Sequence, residues 1–266
     1  EATFDRHDSG NAVVTSLYTN AYAIPVATLG HSLTTANVTA RKILLYLPHK
    51  TTPQALCVAR AGGWQPHAVP FIPPPHHESQ GIGERFGDQY TKLNLWGLDE
   101  LGVKAAVYLD GDTLVRKGFD ELFGMPFEFA AVPDVFPDKR GFILGFNAGV
   151  LFLRPSSDTL RHMKRTLDSG TVKYPPGEAE QAFLNLYYGP DAVRLPYVYN
   201  ANLAIKNRNE EVWEAMKDEI RVVHYTSPKP FPFRGGKMST REEIERDIGN
   251  GKKAFGGLFE EEVGWW

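Results

Sequence analysis

The chain has 266 residues, 42% hydrophobic and 23% charged, with a formal net charge of −3. That is the composition of a soluble globular protein with room for one large α/β domain, and it lacks the broad basic field that would suit nucleic acid. A single cysteine, Cys57, excludes an internal disulfide framework, and no run reaches the roughly 20 apolar residues of a membrane helix. The first residues do not read as a signal peptide. A cytoplasmic location is expected, with a removed N-terminal anchor as the alternative.

Strand-like and helix-like stretches alternate along the chain, which predicts an α/β fold. Residues 13–18 and 43–47 read as strands, and 68–72 as a third ending at Pro73-Pro74-Pro75. Residues 73–87, rich in Pro, Gly and His, read as a long loop, with His76 and His77 solvated. Gly81, Gly83 and Gly87 have neither the spacing nor the preceding strand of a dinucleotide-binding loop. Residues 88–101 predict a helix with Asp88 as cap and Gly102 as stop, leading into a strand at Ala105–Leu109. Strands at 129–132 and 149–153 follow, then a helix at 156–167. A helix over 178–188, stopped by Gly189, would bury Ala179, Ala182, Phe183 and Leu186. A last strand runs into His224, and the tail beyond Pro232 has too few apolar residues for a second core. One domain over 1–266 is expected, with its core at about 11–231 and 232–266 as a C-terminal extension.

The apolar strand at Ala105–Leu109 ends in Asp110-Gly111-Asp112. Ligands of open α/β sheets collect beyond the carboxyl ends of strands. Two carboxylates there can share a hard divalent cation, which would bridge the phosphates of a nucleotide. The competing reading is a surface turn, since Asp and Gly also favour turns. Three further segments bear on the choice. Asn147 opens the apolar strand Phe146–Leu153 with an amide that can donate and accept. Glu180 and Gln181 sit at a helix start, where a carboxylate is favoured by the helix dipole. His224 ends a strand and is followed five residues later by Lys229, pairing an imidazole suited to Mn²⁺ with a point charge suited to phosphate.

These pieces, in this order, resemble the glycogenin and galactinol synthase branch of glycosyltransferase family 8. The resemblance runs from about residue 13 to 231. Its anchors are LYTNAYAIPVATLGHSL, YTKLNLWGL, VYLDGDTLV, FNAGVLF, AEQAFLNLYY, LPYVYN and VVHYTSPKPF. It implies a GT-A nucleotide-sugar transferase fold: an α/β, single Rossmann-like domain with a central mixed sheet. It also implies transfer of a hexose from a UDP-sugar with retention of configuration, by front-face attack or by double displacement. Carried over by position, Asp110, Asp112 and His224 would hold Mn²⁺, with Mg²⁺ as the alternative, and Gly111 lies between the two acids. Leu17, Tyr18, Thr19 and Tyr22 fall where the family grips uracil and ribose, and Lys92 where it touches the donor's phosphate or sugar. Asp134, Asn147, Glu180 and Gln181 fall around the transferred sugar, and Lys229 on the diphosphate-binding lysine.

This sequence departs from the branch in two places. Glu180 is longer than the aspartate of glycogenin, though galactinol synthases carry glutamate there, and the His224-to-Lys229 segment is short and lacks glycine. The expected donors are UDP-glucose first, then UDP-galactose or UDP-N-acetylglucosamine. The expected partner is a separate hydroxyl acceptor (carbohydrate, polyol or small molecule); no nucleic acid and no membrane segment enter, and a homodimer is left open. The segment after YVYN, residues 201–209, has no tyrosine, which argues against a glycogenin-like self-glycosylating primer. A UDP-sugar-binding protein and a phosphohydrolase of the haloacid dehalogenase type, with Asp110 as nucleophile, are the alternatives.

Overall fold

The computed structural model describes residues 10–75, 87–233 and 235–266. The chain begins with β1 (Asn11–Leu17), α1 (Ala23–Thr35), β2 (Arg41–Tyr46), α2 (Pro53–Ala61) and β3 (Gln65–Ala68). A helical segment of 3-10 type, Gln89–Leu101, then leads into β4 (Ala105–Leu109), β5 (Thr113–Val115), β6 (Phe129–Val135) and β7 (Phe142–Leu153). After α3 (Ser157–Ser169) and α4 (Ala179–Tyr188) come the short β8 (Val193–Arg194) and β9 (Ala201–Asn202). Then follow α5 (Ala204–Arg208), α6 (Glu210–Met216), β10 (Val222–His224), α7 (Arg241–Lys253) and α8 (Glu260–Trp265).

Seven strands make a mixed central sheet in the order β3-β2-β1-β4-β7-β6-β8. Strands β2 and β4 flank β1 in parallel, and β7 runs antiparallel to both β4 and β6. All five residues of β4 are buried, as a central strand covered on both faces requires. Alternation along β1 sends Ala12 and Val14 into one core cluster and Val13 and Leu17 into the other. Because β1 and β4 are parallel neighbours, the residues after Leu17 and after Leu109 emerge at the same sheet edge. That edge carries the chemistry.

Several elements differ from the sequence expectation for identifiable reasons. The third strand lies at Gln65–Ala68, upstream of 68–72. Pro70 has no N–H to continue the ladder beyond Val69, while Pro66 is tolerated because β3 is an edge strand. The Gln89–Leu101 segment is helical, but Asp88 does not cap it; its carboxylate pairs with Lys50 at 2.6 Å. Residues on every side of this segment are buried, among them Tyr90, Lys92, Leu93, Leu95 and Trp96, so packing sets its geometry. Gly102 closes it in the left-handed region at φ 75°. In α4, Leu184 is buried while Leu186 is exposed, because the helix is wedged between β7 and the Gln89–Leu101 segment. The expected 73–87 loop, with His76 and His77, lies mostly outside the described residues.

Strands β6 and β7 run further than expected, to Val135 and from Phe142, as a hairpin. Its register shifts on both sides of Pro133, and such irregularities re-aim side chains. Asp134 sits within that shift. The tail forms no core of its own: Phe259 and Val263 join Trp213, Val223 and Tyr225 in a cluster beneath a second sheet of order β5-β10-β9. Among the described residues, no helix is long and apolar enough to cross a membrane.

Candidate metal centre and active site

The small sheet explains how two distant segments meet. Strand β5 starts one residue after Asp112 and pairs antiparallel with β10, placing Thr113 opposite His224. Asp112 thus falls beside the imidazole, its Oδ1 3.3 Å from Nε2 of His224. Asp110, at the end of β4, completes a group whose ligand atoms all lie within 4.8 Å of one another. Two carboxylates and one imidazole suit a divalent cation with mixed oxygen and nitrogen preference.

The tautomer of His224 fits that use. Its Nδ1 lies 3.0 Å from Oδ1 of Asn200, whose Nδ2 donates to Oδ1 of Asn147 at 3.0 Å. With that orientation Nδ1 donates, and the Nε2 lone pair is left for a cation. Asn200 is a residue that sequence reasoning missed, although it closes the LPYVYN anchor. Gly149 is the other: a Cβ there would lie 2.3 Å from Cε1 of His224, so only glycine lets the ring sit against β7.

From Asn147 the hydrogen bonds continue across the site. Asn147 Oδ1 also accepts from the Gly149 amide at 2.9 Å, and its Nδ2 donates to Oδ1 of Asp134 at 3.2 Å. Gln181 Nε2 donates to the other oxygen of Asp134 at 3.0 Å, while its Oε1 accepts from the Ala148 amide. Burial pushes the Asp134 carboxyl up, although bonds from Val135, Asn147 and Gln181 pull it back. Asp134, Asn147 and Gln181 therefore form one unit, joined to His224 through Asn200.

Lys92 binds the two sides together. Its buried ammonium meets Oε1 of Glu180 at 2.6 Å, Oδ1 of Asp110 at 3.2 Å and the Ala148 carbonyl at 3.2 Å. Burial opposes its charge, but Asp110 and Glu180 outweigh this and hold the ammonium above its ordinary value. Lys229 pairs with Oδ2 of Asp112 and also donates to the Tyr225 carbonyl. Burial alone would raise the Asp112 carboxyl; the Lys229 ammonium beside it reverses this and holds it far below the usual range. Four carboxylates, Asp110, Asp112, Asp134 and Glu180, face two lysines. The surplus negative charge would repel a diphosphate unless a cation joined it.

The four residues expected around a nucleotide are less uniform. Leu17 is buried in the core and its carbonyl accepts from Thr51, and Tyr18 is also buried. Thr19 and Tyr22 are partly exposed, and the Tyr22 ring meets Phe231 edge-on at 5.4 Å. A Cβ on Gly111 would come 3.0 Å from the Tyr22 ring. At the start of α4, Ala179 adopts φ 47° immediately before Glu180. For a residue with a Cβ this left-handed conformation costs about 1–2 kcal/mol, strain of the kind that accumulates at functional sites.

The profile of the family Glycosyl transferase family 8 matches residues 87–231. Galactinol synthase 1 of Arabidopsis thaliana is 31% identical over 204 residues, an alignment spanning 65% of this chain and 57% of that relative's length. Among solved structures, the galactosyltransferase LgtC in complex with donor and acceptor sugar analogs superposes with a TM-score of 0.56 at 19% identity, covering 91% of this chain and 97% of that one. The bifunctional glycosyltransferase WbbM superposes with a TM-score of 0.63 at 17% identity, covering 99% of this chain and 53% of that one. The architecture is thus the GT-A fold, and Asp110, Asp112 and His224 form a possible DxD-type metal site within it. The matched segment is more than half of the chain and contains both aspartates, the histidine and Lys229, so the chain belongs to glycosyl transferase family 8.

Proposed function

We propose that this chain is a retaining glycosyltransferase that moves a hexose from a UDP-sugar to a separate hydroxyl acceptor, with Mn²⁺ as its metal. One observation carries the reading: a continuous hydrogen-bonded path runs from His224 through Asn200 and Asn147 to Asp134 and Gln181. It couples a candidate cation site to a cluster of polar side chains that can surround a sugar. A bound cation would supply Lewis-acid stabilisation of charge on the leaving diphosphate. Lys229, now on Asp112, would add a second positive charge there. Thr19 and Tyr22 would border the uridine, with Leu17 and Tyr18 shaping the floor beneath it. Glu180 and Gln181 would stabilise the oxocarbenium-like sugar, and Asp134 and Asn147 would orient its hydroxyls.

UDP-glucose and UDP-galactose head the donors. The name galactinol synthase, carried by several relatives, gives weight to the second. The test is UDP release from a panel of UDP-hexoses with polyol and sugar acceptors, with Mn²⁺ and then with excess chelator. Release that needs both acceptor and metal is expected; full activity in excess chelator would overturn the metal assignment. Intact-mass measurement after incubation with each UDP-hexose and Mn²⁺ should show no added hexose. A ladder of hexose increments on a tyrosine would make the primer reading the leading one.

A further inference from the structure

Asp110 has only part of its side chain available to a cation. Tyr108 lies on β4, and Asp110, two positions on, is the first residue beyond that strand. The Tyr108 hydroxyl donates to Oδ1 of Asp110 at 2.7 Å, and it lies 2.9 Å from the Ser16 hydroxyl on β1. Since the phenolic proton is given to Asp110, the Ser16 hydroxyl donates to the phenol oxygen. Lys92 reaches the same Oδ1 at 3.2 Å, and its ammonium lies 4.8 Å from the centre of the Tyr108 ring. Among the described residues no hydrogen bond reaches Oδ2.

We propose that Tyr108 is a positioning residue of the cation site: with Lys92 it occupies Oδ1 of Asp110, so that Oδ2 is held towards Asp112 and His224. The inference rests on the reading that Asp110 binds a divalent cation. A carboxylate at a strand end, still partly exposed, would otherwise rotate, and ordering it would oppose metal binding. Two fixed donors on one oxygen remove that freedom in advance. They also favour binding through a single oxygen, which leaves room in the coordination sphere for phosphate oxygens. Ser16 fixes the phenol in turn, so the brace extends from β1 to the end of β4. Lys92 alone would not replace it, because its remaining hydrogens are held by Glu180 and Ala148.

The experiment is a calorimetric titration of Mn²⁺ into the UDP-loaded protein, wild type against Tyr108→Phe, with thermal unfolding of both recorded. The phenyl ring preserves packing and removes only the hydroxyl. Partners of metal ligands typically contribute 10–100-fold in metal affinity, so a loss of about ten-fold or more is expected in the folded variant. Should Tyr108→Phe fail to fold, Ser16→Ala carries the test, with a loss of about three-fold expected from one hydrogen bond. Unchanged Mn²⁺ affinity in a folded variant, with or without a lower melting temperature, overturns the proposal. Failure of the wild type itself to bind Mn²⁺ would instead overturn the reading on which the proposal rests.

Discussion

Lys92 and Lys206 are both buried, and each meets a buried glutamate, yet the two pairs are built differently. Lys206, on α5, gives its ammonium to both oxygens of Glu262 at 2.7 and 3.0 Å, and the Trp213 indole donates to the same carboxylate at 2.8 Å. Its charges cancel within the pair. Lys92 divides itself among Glu180, Asp110 and a carbonyl, leaving one negative charge in excess before Asp112 is counted. The rear pair fastens the C-terminal helix α8, whose Glu262 carbonyl also accepts from Tyr225, the residue after His224. The front pair holds a cluster with surplus negative charge that a cation could balance. An imbalance of buried charge, more than burial itself, distinguishes the site from the fastening.

The front cluster can be disturbed without touching either pair. Gly149→Ala would force a methyl group against His224, and Asp112→Asn would remove a ligand charge. Each should reduce UDP release by about a thousand-fold, a magnitude seen when one strong transition-state contact is lost. Mn²⁺ affinity should fall in both, while thermal stability stays within a few degrees. Wild-type turnover in either variant would remove the β7–β10 junction from the site.

Lys92→Met and Lys206→Met test the two pairs directly. Each leaves a carboxylate buried without its partner, which typically costs about 3–5 kcal/mol. Equilibrium unfolding should therefore register both. Activity separates them: per folded molecule, Lys206→Met should retain turnover and Lys92→Met should lose it. The double variant Lys206→Met/Glu262→Leu should recover most of the lost stability, less about 1 kcal/mol for the acceptor that Trp213 loses. If the double variant folds well but does not turn over, the rear pair also serves the site.

The sequence made the front half of this comparison readable and left the rear half hidden. Ala105–Leu109 is an apolar run that ends abruptly in two acids, and its limits followed from the residues. His224 and Lys229 were legible as a strand end and a following cation. Asn200 was not, because an asparagine after two tyrosines reads as a turn until β9 and β10 bring it to the imidazole. The strained Ala179 left no trace either, since its φ is imposed by the packing around α4. The tail's few apolar residues excluded a second core and gave no sign of where the tail packs. Phe259 and Val263 suffice because they complete a cluster whose other members lie at 114–225, a long-range fit invisible to local pattern. Similarly, the Gln89–Leu101 segment announced a helix but not its tight winding.

Asp134, at the end of the front cluster's hydrogen-bonded path, gives the mildest effect. Burial raises its carboxyl above the ordinary value of 3.8. A group whose value is higher in the folded than in the unfolded chain adds most to stability below the unfolded value. That contribution fades as pH rises through the folded value. Asp134→Asn removes the titration while retaining an acceptor for Val135 and Asn147. Melting temperatures of wild type and variant, followed upward from about pH 4, should therefore diverge in slope: wild type loses stability relative to the variant as Asp134 ionises. Parallel profiles would mean that the bonds from Asn147 and Gln181 fully offset burial. The ionised carboxylate would then cost the protein nothing, and the front cluster would be as well balanced at Asp134 as the rear pair is throughout.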